Sequence, residues 1–139
     1  VTRTLHSTAK LDSLKSMLEG LGIDMVEVDR IKKVLDRWGE RFLHRVFTSE
    51  ERDYCKRKAH PEQSLAARFA AKEAVLKAIG TGLSGGIRWT DVKIVNDKSG
   101  KPEVRLDKKI IQRIGDKKIL LSISHTKEFA IAFAILVDG

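Results

Sequence analysis

Two short segments of this 139-residue chain set carboxylates and cations into apolar surroundings: residues 22–31, GIDMVEVDRI, and residues 68–82, RFAAKEAVLKAIGTG. The second falls in a stretch whose pattern predicts a helix over residues 65–79, with Ser64 as a possible N-cap and Gly80 as its stop. Within it only Arg68, Lys72, Glu73 and Lys77 are charged, and the rest is Leu, Ala, Phe, Val and Ile. A helix apolar nearly all round is a buried helix, and charges on it must find partners or ligands. At about 100° per residue, Glu73 and Lys77 fall on one flank of the Leu65/Phe69/Leu76 stripe, and Arg68 and Lys72 on the other. One helix thus offers a carboxylate and three cations to something beyond itself. The ordinary use of Glu73 and Lys77 would be an i,i+4 ion pair contributing about 0.2–0.5 kcal/mol. Asp24, closing the apolar run at 18–23, would equally serve as a cap for the helix that follows.

The elements that must position these groups are legible from spacing. From Val28 the apolar positions Ile31, Leu35 and Trp38 recur at helical intervals, and Gly39 offers a stop. The outer side of this helix is basic, with Arg30, Lys33 and Arg37 on it and Arg41 just beyond; on charge alone it is a solvated face. Thr48-Ser49-Glu50-Glu51 fits a capping box opening a helix toward Lys58, and His60-Pro61 breaks the chain before the next one. Gly80, Gly82, Gly85 and Gly86 form a loop that fits neither the P-loop nor the dinucleotide spacing, so the expectation is a turn and ligand-contact loop. Strands are predicted at 91–95 and 103–106, then a short helix at 107–114, then strands at 119–124 and 130–137. In the last strand Ala130, Ala132 and Ala134 face one way, and Phe129, Ile131, Phe133 and Ile135 the other. The large residues are expected to fill the core, leaving the alanine face for close approach by another chain or by a helix of the same one. The fold class is α+β: one domain with a largely antiparallel sheet packed with helices.

Composition bounds the function. Apolar residues make up 42% of the chain, enough for a modest single core. The net charge is +8 and the pI near 9.7, which suits polyanionic partners. A nucleic-acid-binding role is disfavoured, because the basic residues are dispersed and two Trp and one Tyr leave little for base stacking. No apolar run approaches a membrane span and no signal peptide is evident. The single cysteine, Cys55, cannot form an intrachain disulfide, which favours a reducing cytoplasm.

A third segment, residues 122–128, SISHTKE, completes a pattern. Together with the two charged segments, and in the same order, it resembles the signatures of the holo-(acyl-carrier-protein) synthases, the small bacterial phosphopantetheinyl transferases. The resemblance runs over about residues 17–137. Residues 1–16 stand apart as an N-terminal extension, with Met17 where the family's first residue falls and residues 17–139 as a single phosphopantetheinyl transferase-like domain.

The resemblance implies transfer of 4'-phosphopantetheine from coenzyme A to a serine of an acidic apo acyl carrier protein, in support of cytoplasmic fatty acid biosynthesis. It implies Asp24 and Glu73 as ligands of Mg2+, a hard cation commonly held by one or two carboxylates and substrate phosphates. Lys77, with Lys72 and Arg68, would neutralise phosphate charge, while Gly80, Gly82, Ser124, His125 and Thr126 would contact coenzyme A. Arg30, Lys33, Arg37 and Arg41 would dock the carrier. A homotrimer is implied, with the coenzyme A pocket between subunits. The group that removes the serine proton stays open among a metal-bound water, Glu73 and another carboxylate.

Overall fold

A computed structural model describes residues 17–139; the expectation for residues 1–16 lies outside them. Strand β1 (Leu18–Glu27) leads into helix α1 (Val28–Trp38), α2 (Glu40–Val46), α3 (Ser49–Lys56) and the long α4 (Pro61–Ile79). A 3-10 turn (Trp89–Asp91) then precedes β2 (Val92–Asn96), β3 (Pro102–Leu106), α5 (Lys108–Ile114), β4 (Lys117–His125) and β5 (Phe129–Asp138). The β1, β5 and β4 strands form one antiparallel sheet in that spatial order, and β2 and β3 form a separate hairpin. The α+β class and the mainly antiparallel pairing are as the sequence predicts.

Helix α4 lies across the three-stranded sheet, and small residues on both sides set how closely. Ala74 and Ala78 face Gly22 and Gly20 of β1, whose absent side chains would run into the helix carbonyls of those same alanines. From β5, Ala130, Ala132 and Ala134 add three fully buried positions to this inner face. Glycine in a strand marks such a close backbone approach.

Three sequence expectations are corrected here. The alternation in β5 is right but its sense is reversed: the alanines form the core side, while Phe129, Ile131 and Phe133 remain between 38% and 40% exposed. The cause is α4, whose own face is alanine-rich and takes the intrachain place the small residues leave open. Asp24 does not cap a helix. It sits inside β1 opposite Ala132, and α1 starts after Glu27 without a side-chain cap. Helix α4 begins at Pro61 and not at Ser64, because proline at the first helical position needs no N–H partner and already has a helical φ. The Ser64 hydroxyl donates instead to Cys55 Sγ at 3.2 Å. The Thr48 capping box forms as predicted, with both reciprocal hydrogen bonds to Glu51.

Candidate active site

Asp24 points to the α4 side of β1, in the same row as Gly22 and Val26. Because Gly22 lets the helix approach, Glu73 and Lys77, one turn apart on α4, come within reach of it. Lys77 Nζ donates to Asp24 Oδ1 at 3.1 Å and to the Ile23 carbonyl at 3.0 Å. The Asp24 side chain is only 11% exposed, and its Oδ2 is buried without any hydrogen-bond partner. Burial, then a hydrogen bond to Asp24 that only a protonated Glu73 can donate, and the negative charge of Asp24 hold the Glu73 carboxyl above the ordinary glutamate range; the positive fields of Lys77 and Arg30 offset part of this. The expected i,i+4 pairing of Glu73 with Lys77 gives way to a cluster in which Lys77 bonds Asp24 across the helix–sheet interface.

Beside the carboxylates opens a cleft of about 440 Å³, lined by Glu73, Lys77, Gly80 and Gly82 and by the apolar side chains of Leu76, Leu83 and Trp89. Gly80 ends α4 in the left-handed conformation at φ +87°, with nothing within 4 Å of where a Cβ would stand. A side chain there would be disfavoured by the backbone conformation and not by crowding.

Two adjacent carboxylates, one with a bare buried oxygen, fit a divalent cation that takes oxygen ligands. Among the described residues no group of three or more His, Cys, Asp or Glu is arranged to hold a metal ion by itself. A cation held by Asp24 and Glu73 would therefore complete its coordination from water and substrate, which is the habit of Mg2+.

Not all the expected site residues converge. Lys72 is wholly buried and cannot meet a phosphate: its ammonium pairs with Glu51 at 2.7 Å and stands outside the cleft lining. Burial pushes this ammonium below the usual lysine range, and the Glu51 carboxylate pulls it part of the way back. Arg68, also buried, donates to Asn96 Oδ1 at 2.7 Å and stacks 4.0 Å over the Tyr54 ring. It borders a different cavity, with Arg57 and Asn96, and is not part of the Glu73 cleft. The helical positions of both residues are as the sequence indicates, but that flank of α4 faces protein. Ser124, His125 and Thr126 lie at the β4–β5 hairpin end and also stand outside the cleft lining. Ser124 pairs with Ile131 on the outer sheet face, opposite the face that carries Asp24. Arg30, Lys33, Arg37 and Arg41 are all exposed, as expected. Arg41 borders an apolar groove formed by Val34, Trp38 and Phe42, which the basic pattern did not reveal. Trp89 and Leu83 were also missed as cleft residues, since neither stands in a charged motif.

Residues 20–134 match the family model of the 4'-phosphopantetheinyl transferase superfamily, which gives the class of protein. A holo-[acyl-carrier-protein] synthase of Protochlamydia amoebophila is 49% identical over 119 residues, covering 86% of this chain and 98% of that protein. The crystal structure of the holo-(acyl-carrier-protein) synthase from Bacillus anthracis in complex with CoA (3',5'-ADP) is similar at TM-score 0.75 and 38% identity, over 88% of this chain and 99% of that one. The Neisseria meningitidis holo-[acyl-carrier-protein] synthase aligns at TM-score 0.80 and 34% identity, over 86% and 98% of the two chains. The chain belongs to the holo-[acyl-carrier-protein] synthase family.

Proposed function

We propose that the protein transfers 4'-phosphopantetheine from coenzyme A to a serine of an apo acyl carrier protein, releasing adenosine 3',5'-bisphosphate. The observation that carries the site assignment is the Asp24–Glu73 pair, with the bare Asp24 Oδ2 and with Lys77, which lines the cleft together with Glu73. In the transfer, the serine oxygen bonds to the phosphorus of the phosphopantetheine phosphate as the bond from that phosphorus to the bisphosphate oxygen breaks. The serine proton leaves to a base, and the leaving group takes up the negative charge.

Asp24 and Glu73 are the residues that would hold Mg2+. The bound ion supplies charge neutralisation and alignment of phosphate oxygens. Lys77 carries a half-exposed ammonium at the same edge, where it can turn from Asp24 to a substrate phosphate. Gly80 and Gly82 keep the cleft rim free of side chains. Chelation should stop release of adenosine 3',5'-bisphosphate, and added Mg2+ should restore it; full activity in excess chelator would refute the metal assignment.

The carrier-docking role of Arg30, Lys33, Arg37 and Arg41 is supported by their exposure on and beside α1. Arg30 already contributes to the field at Glu73. The homotrimer is supported by the outer face of the sheet, where Leu21, Ile23 and Met25 of β1 are 59%, 61% and 62% exposed and Phe129, Ile131 and Phe133 continue the patch. Large apolar patches of this kind mark association surfaces. In such an assembly Ser124, His125 and Thr126 would reach coenzyme A bound by a neighbouring copy. No helix among the described residues is long and apolar enough to cross a membrane. A cytoplasmic location, in service of fatty acid biosynthesis, accords with the proposed substrates.

A further inference from the structure

Lys72 stands immediately before Glu73 in the sequence yet takes no part in the chemistry described above. A lysine ammonium has three N–H donors, and here each has an acceptor: Glu51 Oε1 at 2.7 Å, the Val92 carbonyl at 2.8 Å and the Trp89 carbonyl at 3.1 Å. Glu51 is also held at both oxygens, with three of its roughly four acceptor sites used. Its Oε1 also accepts from the Thr48 N–H at 2.8 Å, and its Oε2 accepts from the Ile94 N–H at 2.9 Å. Both side chains have no solvent exposure. A buried ion pair contributes little net stability compared with apolar residues of the same volume, so stability alone does not account for this one.

Its geometry points elsewhere. Two of the acceptors, Trp89 O and Val92 O, bracket the 3-10 turn that carries the Trp89 ring into the cleft. The ring itself stacks on Phe69 of α4, with centroids 5.2 Å apart. Trp89 is therefore fastened to α4 twice, by its carbonyl to Lys72 and by its ring to Phe69, while the next residue of the helix supplies a carboxylate of the proposed metal site. We infer that the Lys72–Glu51 pair is a positioning device that fixes the Trp89 wall relative to Glu73, and thereby sets the fit of coenzyme A in the cleft. This rests on the transfer reading, with coenzyme A as the ligand of the Glu73 cleft.

The test removes the pair's charge in one step, with Lys72→Met and Glu51→Gln combined so that neither partner is left as an unmatched buried ion. The KM for coenzyme A should rise on the order of tenfold, as expected when a binding wall shifts. The KM for the carrier should stay within about twofold, since remote docking contacts are unchanged. In a Trp38→Phe background, Trp89 is the one remaining tryptophan of the two. Its emission should move to longer wavelength when the pair is removed, relative to the same background with the pair intact. Trp89→Leu keeps the pair and removes the ring, so it should reproduce the rise in coenzyme A KM even if the double variant fails to fold. A normal coenzyme A KM with unchanged Trp89 emission in the folded double variant would overturn the proposal, as would a normal coenzyme A KM in Trp89→Leu. Titrating coenzyme A against Trp89 fluorescence needs no carrier. A binding signal that responds to removal of the pair, in a protein that transfers nothing, would count against the transfer reading and not against this one.

Discussion

Asp24 and Glu73 repel each other when both are ionised, and the protein supplies Lys77 and Arg30 as partial compensation. A divalent cation compensates more fully. Asp24→Asn and Glu73→Gln should each lower turnover by about 10²-fold or more, because a metal's stabilisation of transferring charge amounts to several kcal/mol. Circular dichroism should show both variants folded. The pH dependence follows from the direction of the Glu73 shift. Its carboxyl is held above the ordinary value of 4.5, so the folded state binds the proton more tightly than the unfolded chain does. This contribution to stability is fully present below the ordinary value and is lost as pH rises through the raised one. In metal-free protein the melting temperature should therefore fall more steeply with pH above 4.5 than it does in Glu73→Gln, and added Mg2+ should recover the difference. Equal pH slopes in the two proteins would show that Glu73 is not the titrating group.

At this scale the sequence marked Asp24, Glu73 and Lys77, since charge on an apolar background is visible without a structure. The fate of Lys72 was not legible. Helical geometry separates it from Glu73, but whether that flank meets substrate or Glu51 depends on a contact 21 residues back along the chain, between Glu51 and Lys72. Nothing local signals such a pairing.

Among the elements, the small-residue contact between α4 and β1 sets the distance on which the carboxylate pair depends. Gly22→Ala would drive a methyl group into the Ala74 carbonyl. Overpacking of this kind costs about 1–3 kcal/mol, and activity should fall further than stability because helix and strand separate at the site itself. Ala132→Leu should destabilise the chain through the adjoining face of β5, where Ala132 is completely buried. The sequence exposed the alternation in β5 but suggested the opposite facing, because residue size favours Phe and Ile as core. Only the alanine face of α4, and the apolar patch that the proposed assembly would cover, give the observed facing its reason. The capping box of α3 was legible for a different cause: its hydrogen bonds close within four residues. On α1, reversing Arg30 and Arg37 to Glu should raise the KM for carrier much more than that for coenzyme A. Added salt should shrink the difference, as exposed charges are screened within about 10 Å at 0.1 M. Equal effects on both substrates would assign the helix to the cofactor pocket instead.

For the whole molecule, the net charge of +8 suits an acidic protein partner and a polyphosphate substrate, and the exposed sheet face suits self-association. Ile131→Glu places a charge in the middle of that face, and light scattering should then report a species smaller than the trimer proposed for the unmodified protein, with coenzyme A binding weakened in parallel. A fully active monomer would remove the intersubunit pocket from the account. The central claim, group transfer itself, is tested most directly by the intact mass of an apo acyl carrier protein incubated with this protein, coenzyme A and Mg2+. The carrier should gain the mass of one phosphopantetheine, and a carrier in which the acceptor serine is replaced by alanine should gain nothing. A wild-type carrier of unchanged mass, with the enzyme folded and all components in excess, would contradict the account.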